Sequence, residues 1–122
     1  MSLNKERYIV LLSSLKINNI DMLIKYKENI IDFIDNIITK DEIIKIGTTK
    51  NDKLIEFLKD NNYKIEEISQ NKRYPGQTNN KILRECDISL FLNYQLSTNM
   101  QKFIEISKSY DKKTFVLHLG EN

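Results

Sequence analysis

Short apolar or β-rich runs alternate along this chain with amphipathic runs of helical period, and that alternation limits the fold more than any other feature. Tyr8-Ile-Val-Leu-Leu12 is a continuous apolar run bounded by polar residues, as expected of a strand covered on both faces. The spacing then predicts a long helix over Asn18–Ile38 and a second strand over Glu42–Ile46, which ends at Gly47-Thr48-Thr49. A helix capped by Asp52 follows, with Leu54, Ile55, Phe57 and Leu58 on its apolar face and Asn61-Asn62 as its stop. Tyr63–Ile68 reads as the third strand. The longest irregular stretch, 69–77, carries the chain's only proline, Pro75, and Gly76. Thr78 is placed to cap a helix bearing Ile82, Leu83 and Cys86. Ile88–Leu92 is the fourth strand, Ser97 opens a helix with Met100, Phe103, Ile104 and Ser107 on one face, and Thr114–Leu119 is the fifth strand.

Strand–helix alternation of this kind builds right-handed βαβ crossovers, and these force a parallel sheet. The expectation is one α/β domain over residues 1–122, a Rossmann-like three-layer sandwich with a five-stranded parallel sheet in the order 3-2-1-4-5. A length of 122 residues suits a single domain. In such sheets ligands lie outside the carboxyl ends of the strands, so candidate site residues belong to the loops that follow strands. Those loops are Ser13-Ser14, Gly47-Thr48-Thr49, Lys72–Asn80 and Asn93–Asn99.

Composition narrows the partners. A net charge of +2, from lysines spread along the chain, gives no reason to expect nucleic acid or a membrane surface. No apolar run approaches the ~20 residues that span a bilayer. Arg7 leads straight into the first short apolar run, unlike a signal peptide. One cysteine, Cys86, allows no internal disulfide and fits a reducing cytoplasm. No metal-ligand spacing is present, and neither a metal nor a cofactor is expected. The abundance of Ile, Lys and Asn reflects AT-rich codons, as in a low-GC bacterium or a phage or plasmid living in one.

The predicted long helix carries two apolar stripes. One holds Ile20, Leu23, Ile24, Ile31, Ile34 and Ile38; the other holds Met22, Tyr26, Ile30, Phe33 and Ile37. Their combined arc of about 200° exceeds the ~100° needed to dock on one core. Either the helix lies deep in a small core, or the second stripe meets another subunit in a homodimer or higher homo-oligomer.

Three of the loops resemble the SLOG superfamily, Rossmann-like domains that include the Lonely Guy nucleoside-monophosphate hydrolases and nucleotide-sensing modules. Ile46-Gly47-Thr48-Thr49, followed by Asp52 and Leu54, resembles the family's second strand and its Gly-rich turn. Tyr74-Pro75-Gly76-Gln77-Thr78-Asn79-Asn80 resembles its Gly-x-x-Arg-Asn loop, with the Asp87-Ile88-Ser89-Leu90-Phe91 strand after it. Ser97-Thr98 stands where a Gly-Thr turn would open the next helix, and Lys112–Val116 matches the final strand. The likeness runs through the whole chain in order, with no single motif intact.

The resemblance implies a ligand-binding set of Ser13, Ser14, Gly47, Thr48, Thr49, Arg73, Tyr74, Gly76, Asn80, Ser97, Thr98 and Asn99. The glycines would mark turns with positive φ or a close backbone approach, the hydroxyls would donate at helix starts, and Arg73 beside Tyr74 suits a phosphate and a base. Plain turns and ordinary capping would account for several of these residues without any ligand. The hydrolase branch uses a glutamate after its Gly-Thr turn, and Gln101 falls at that position, where an amide can serve neither as base nor as counter-ion. Asn79 replaces the family's arginine, and Leu96-Ser97 replaces a glycine pair. The implied activity is therefore binding without turnover of a nucleotide-derived molecule of the cyclic ADP-ribose or ADP-ribose type. A phage-encoded sponge that sequesters a TIR-made immune signal would act in this way. An N-glycosidase is the rival reading, with Glu105 or Asp87 as its only carboxylates near the fourth-strand loop. His118, alone on the last strand, reads as a packed or edge histidine.

Overall fold

The structure, a computed structural model, describes residues 6–70, 73–95 and 97–120. Its elements in chain order are β1 (Ile9–Ser13), a 3-10 turn (Leu15–Ile17), α1 (Ile20–Lys25), α2 (Lys27–Asp35), β2 (Ile43–Gly47), α3 (Asp52–Asp60) and β3 (Lys64–Ile68), followed by α4 (Pro75–Glu85), β4 (Ile88–Tyr94), α5 (Thr98–Ser109) and β5 (Lys113–Leu119). All four strand pairings are parallel, as the alternation predicted, and the order is β3-β2-β1-β4-β5, the one expected of the Rossmann-like sandwich.

Two apolar clusters lie on opposite faces of this sheet. Ile9, Leu11, Ile44, Ile46, Leu90 and Leu92 pack against residues of α1, α2 and α3, including Leu23, Ile30, Ile34, Leu54 and Leu58. Val10, Leu12 and Phe91 pack against Ile82 and Leu83 of α4 and Met100 and Ile104 of α5. Successive strand residues point to opposite faces, so apolar runs such as Ile9–Leu12 feed both clusters at once. Right-handed crossovers put the connections running toward β3 on one face and those running toward β5 on the other.

The predicted helix over Asn18–Ile38 is broken. Asn19 caps α1 by accepting from Met22 N (3.1 Å), and the path bends at Tyr26 (φ −106°, ψ 15°) before α2 begins. The two stripes therefore do not continue as drawn through the bend. Ile30, Ile34 and Ile38 join Leu23 in the core, whereas Ile20 and Ile24 of the first stripe stay exposed. Met22, Tyr26, Phe33 and Ile37 do not form a free second face, because they pack partly buried against the same core.

Two capping expectations also change. Helix α4 begins at Pro75 rather than at Thr78, since proline suits the first helical position, where its missing N–H is no loss. Asp52 is the first residue of α3, not its cap. Instead Asn18 reaches across from the β1–α1 connection, its Oδ1 accepting from Lys53 N (2.8 Å) and Leu54 N (2.9 Å) while its amide donates to Asp52 (2.9 Å). That amide holds the Asp52 carboxyl below the usual carboxylate range. Replacing Asn18 with alanine should therefore lower stability by about 1–2 kcal/mol, the usual loss for a cap. Asp52→Ala should cost less, and urea unfolding of the two variants would rank them.

Candidate functional site

The carboxyl ends of the strands gather three polar constellations, each assembled from distant parts of the chain. The first lies between β1 and β4, where the strand order reverses. Ser14 N donates to Leu92 O (2.9 Å), Tyr94 N donates to Ser14 Oγ (3.0 Å), and Ser14 Oγ donates to Asn93 Oδ1 (3.3 Å). Asn93 Nδ2 in turn lies 3.1 Å from His118 Nδ1. The order of donors is set by the backbone N–H of Tyr94, which can only donate; the hydroxyl passes its proton to the carboxamide oxygen, and the carboxamide donates to the imidazole. Ser14 and Asn93 are buried, and His118 is exposed at the open edge of β5.

The second constellation closes the turn after β2. Thr48 N donates to Ile68 O (3.0 Å), and Asn51 Nδ2 donates to Gly47 O (2.8 Å). The Gln70 side chain fills the concave side of the turn: Oε1 accepts from Thr49 N (3.0 Å) and Nε2 donates to Asn79 Oδ1 (2.9 Å). A Cβ at Gly47 would collide with this carboxamide, which explains the glycine by a close approach rather than by positive φ. Gly76 lies in the first turn of α4 with its nearest neighbour, Phe103, at an ordinary 3.8 Å from a would-be Cβ, so the expectation of a special turn does not hold there. Among the described glycines the positive φ belongs to Gly120 (80°), where the Tyr94 ring covers the backbone.

The third constellation is the start of α5. Ser97 Oγ accepts from Met100 N (3.2 Å), which makes Ser97 a capping residue, and Thr98 and Asn99 are exposed in the first turn. Arg73 and Tyr74 are exposed just before α4, with the guanidinium 5.8 Å from the ring centroid. Ser13 donates to its neighbour Ser14 O (3.2 Å). Of the asparagine pair, Asn79 faces the β2 turn and Asn80 is exposed on α4. Asn71, Lys72 and Leu96 lie outside the described residues.

Thus the strand ends bring Ser14 to Asn93 and His118, and the Gly47–Thr49 turn to Gln70 and Asn79. Asn80 joins neither group. Two shallow depressions flank Tyr94, one lined by Lys25, Tyr26 and Gln95, the other by Leu15, Asn18 and Met22; Gly47, Arg73 and Thr98 line neither. Gln95 holds a left-handed φ of 53° at this edge, uncommon for a residue with a Cβ. Sequence reasoning passed over Gln70 and Asn18 and gave Asn93 only as the first residue of a candidate loop. Only Asn93 carried a local signal, a polar residue directly after the apolar run Ile88–Leu92.

Asp87, Glu105 and Cys86 make their hydrogen bonds outside these three constellations. Asp87 lies at the opposite end of the sheet, where its carboxylate accepts from Tyr8 N (2.7 Å) ahead of β4. Glu105 is exposed two turns into α5 and accepts from Gln101 (3.3 Å). Cys86 is fully buried against α4 and the sheet, and burial pushes its thiol up to about 11, so it is not a ready nucleophile at neutral pH. Among the described residues, no helix is long and apolar enough to cross a membrane.

No protein-family model, curated protein or solved structure matches this chain.

The coupling of Gly47 to Gln70 can be tested directly. Gly47→Ala should destabilise the wild type, and the loss should shrink by about 1 kcal/mol when Gln70 is also alanine, as for residues in direct contact. A urea double-mutant cycle measures this; additive losses would mean that the two side chains do not meet.

Proposed function

We propose that the protein binds a small, ribose-bearing, nucleotide-derived ligand at the carboxyl edge of its sheet and does not turn it over. The observation that carries this reading is the chemistry of the edge at the β1–β4 reversal. His118, exposed and bonded to the buried Ser14–Asn93 pair, and Thr98 and Asn99, exposed at the start of α5, offer donors and acceptors suited to ribose hydroxyls and phosphate oxygens. A glycosidase needs a carboxylate beside the scissile bond. Asp87 is at the wrong end of the sheet and Gln101 holds the position of the hydrolases' glutamate, which leaves Glu105, exposed on α5.

The resemblance to SLOG domains suggests a ligand of the cyclic ADP-ribose or ADP-ribose type. On this reading the protein is a cytoplasmic sponge, phage-encoded, that withholds a TIR-made signal from an antiphage effector. Denaturing the purified protein and identifying released small molecules by mass spectrometry tests the ligand class.

Two outcomes are expected in solution. Arg73→Ala should weaken ADP-ribose binding by roughly ten- to a hundred-fold, about 1.5–3 kcal/mol for a charge-assisted contact. Lys108→Ala, in the last turn of α5 at the far end of the sheet, should leave it unchanged in calorimetry. Incubation with AMP, NAD, deoxynucleosides and cyclic ADP-ribose isomers should release neither free base nor ribose. A turnover that vanishes in Glu105→Gln would replace this reading with the glycosidase.

A further inference from the structure

Three of the large exposed apolar side chains lie within ten residues of one another. Leu15 is 64% exposed, Ile20 59% and Ile24 69%. On the other helices the aliphatic side chains are covered: Leu54, Ile55 and Leu58 of α3 and Met100 and Ile104 of α5 are buried. Helix α1 is the exception because it docks through Leu23 and Met22 on its opposite side. Ile20 and Ile24 are one turn apart and form a row along the outer face. Asp21 and Lys25, both exposed, form a second row about 100° round the helix from it.

We propose that this face of α1 pairs with the same face of a second copy of the chain, antiparallel and across a two-fold axis. The charge pattern selects the occupant and the direction. When two copies of α1 lie antiparallel with the axis between them, Ile20 of each is level with Ile24 of the other. The flanking rows then fall on the same side, with Asp21 of each copy about two residues, or ~3 Å, along the axis from Lys25 of its partner and within reach of the long lysine side chain, so that two opposite-charge pairs close over the apolar contact. A parallel pairing about a two-fold along the helices would put the two flanking rows on opposite sides of the contact, where no such pairs close. A patch that is complementary to itself is what a two-fold interface requires. Leu15 lines a depression with Asp21, Met22 and Tyr94 at the end of β4, so the partner borders the carboxyl edge of the sheet. The patch is small beside the ~800 Å² that each partner contributes to a stable interface, which makes the dimer weak and concentration-dependent. The dimer does not depend on the ligand reading, and its test needs no ligand.

Light scattering and sedimentation over a concentration series, on the order of one to hundreds of micromolar, should show the wild type passing from monomer to dimer. Ile20→Glu/Ile24→Glu should remain monomeric throughout, with unchanged circular dichroism. Asp21→Lys should weaken the dimer by about three-fold or more, and adding Lys25→Asp should restore it, since the pair is then reversed but still complementary. A wild type that stays monomeric over the whole range overturns the proposal. So does a dimer indifferent to Ile20→Glu/Ile24→Glu, in which case Phe115→Lys on the open edge of β5 identifies the alternative interface. Failure of the charge reversal to restore what Asp21→Lys loses overturns the antiparallel arrangement.

Discussion

Strand β1 is hydrogen-bonded on both edges and covered on both faces, and most of the molecule is arranged by that fact. Its residues Ile9 to Leu12 are at most 6% exposed, with β2 on one side and β4 on the other. A parallel pair cannot be closed by a tight turn, so each neighbour of β1 needs a helical crossover, and the fixed hand of those crossovers sends them to opposite faces. The loops leaving β1 and β4 therefore diverge at one point on the carboxyl edge. The crevice there follows from topology, before any particular side chain is considered.

At that edge the protein uses its own amides and hydroxyls to satisfy its backbone. Asn18 takes the first free N–H groups of α3, Gln70 takes that of Thr49, and Ser14 takes that of Tyr94. In many nucleotide-binding α/β proteins such N–H groups face a phosphate. A ligand phosphate that reached Thr49 N would have to displace the Gln70 carboxamide, and one that reached the start of α3 would have to displace Asn18. The start of α5 is less occupied: Ser97 takes the N–H of Met100, and Thr98 and Asn99 are exposed. The edge is thus graded, self-satisfied beside β2 and more open beside β4 and β5.

The two edges of the sheet differ in chemistry as well. Strand β3 exposes Lys64, Glu66 and Glu67, with ion pairs from Lys45 to Glu66 (2.8 Å) and from Lys59 to Glu67 (3.1 Å), and such charges discourage a further strand. Strand β5 is seven residues long and exposes Lys113, Phe115 and His118. These exposed pairs add little to stability; their effect is on what can pair with the sheet.

The sequence by itself determined the layers, the strands and their parallel pairing, because periods of two and of 3.6 residues record which face each side chain turns to the core and strand–helix alternation forces parallel crossovers. It also located the loops that meet at the carboxyl edge. It could not determine the break at Tyr26, which no proline or glycine marks, and so it placed Ile20 and Ile24 in one stripe with Leu23, Ile34 and Ile38, although the first two are exposed and the others buried. Nor could it pair Asn18 with α3, Gln70 with Gly47 and Asn79, or Ser14 with Asn93. These partners stand 9 to 79 residues apart, and local periodicity holds no record of a contact made only when separate loops converge. Tertiary structure decided which polar side chains face one another, and with that the chemistry of the edge.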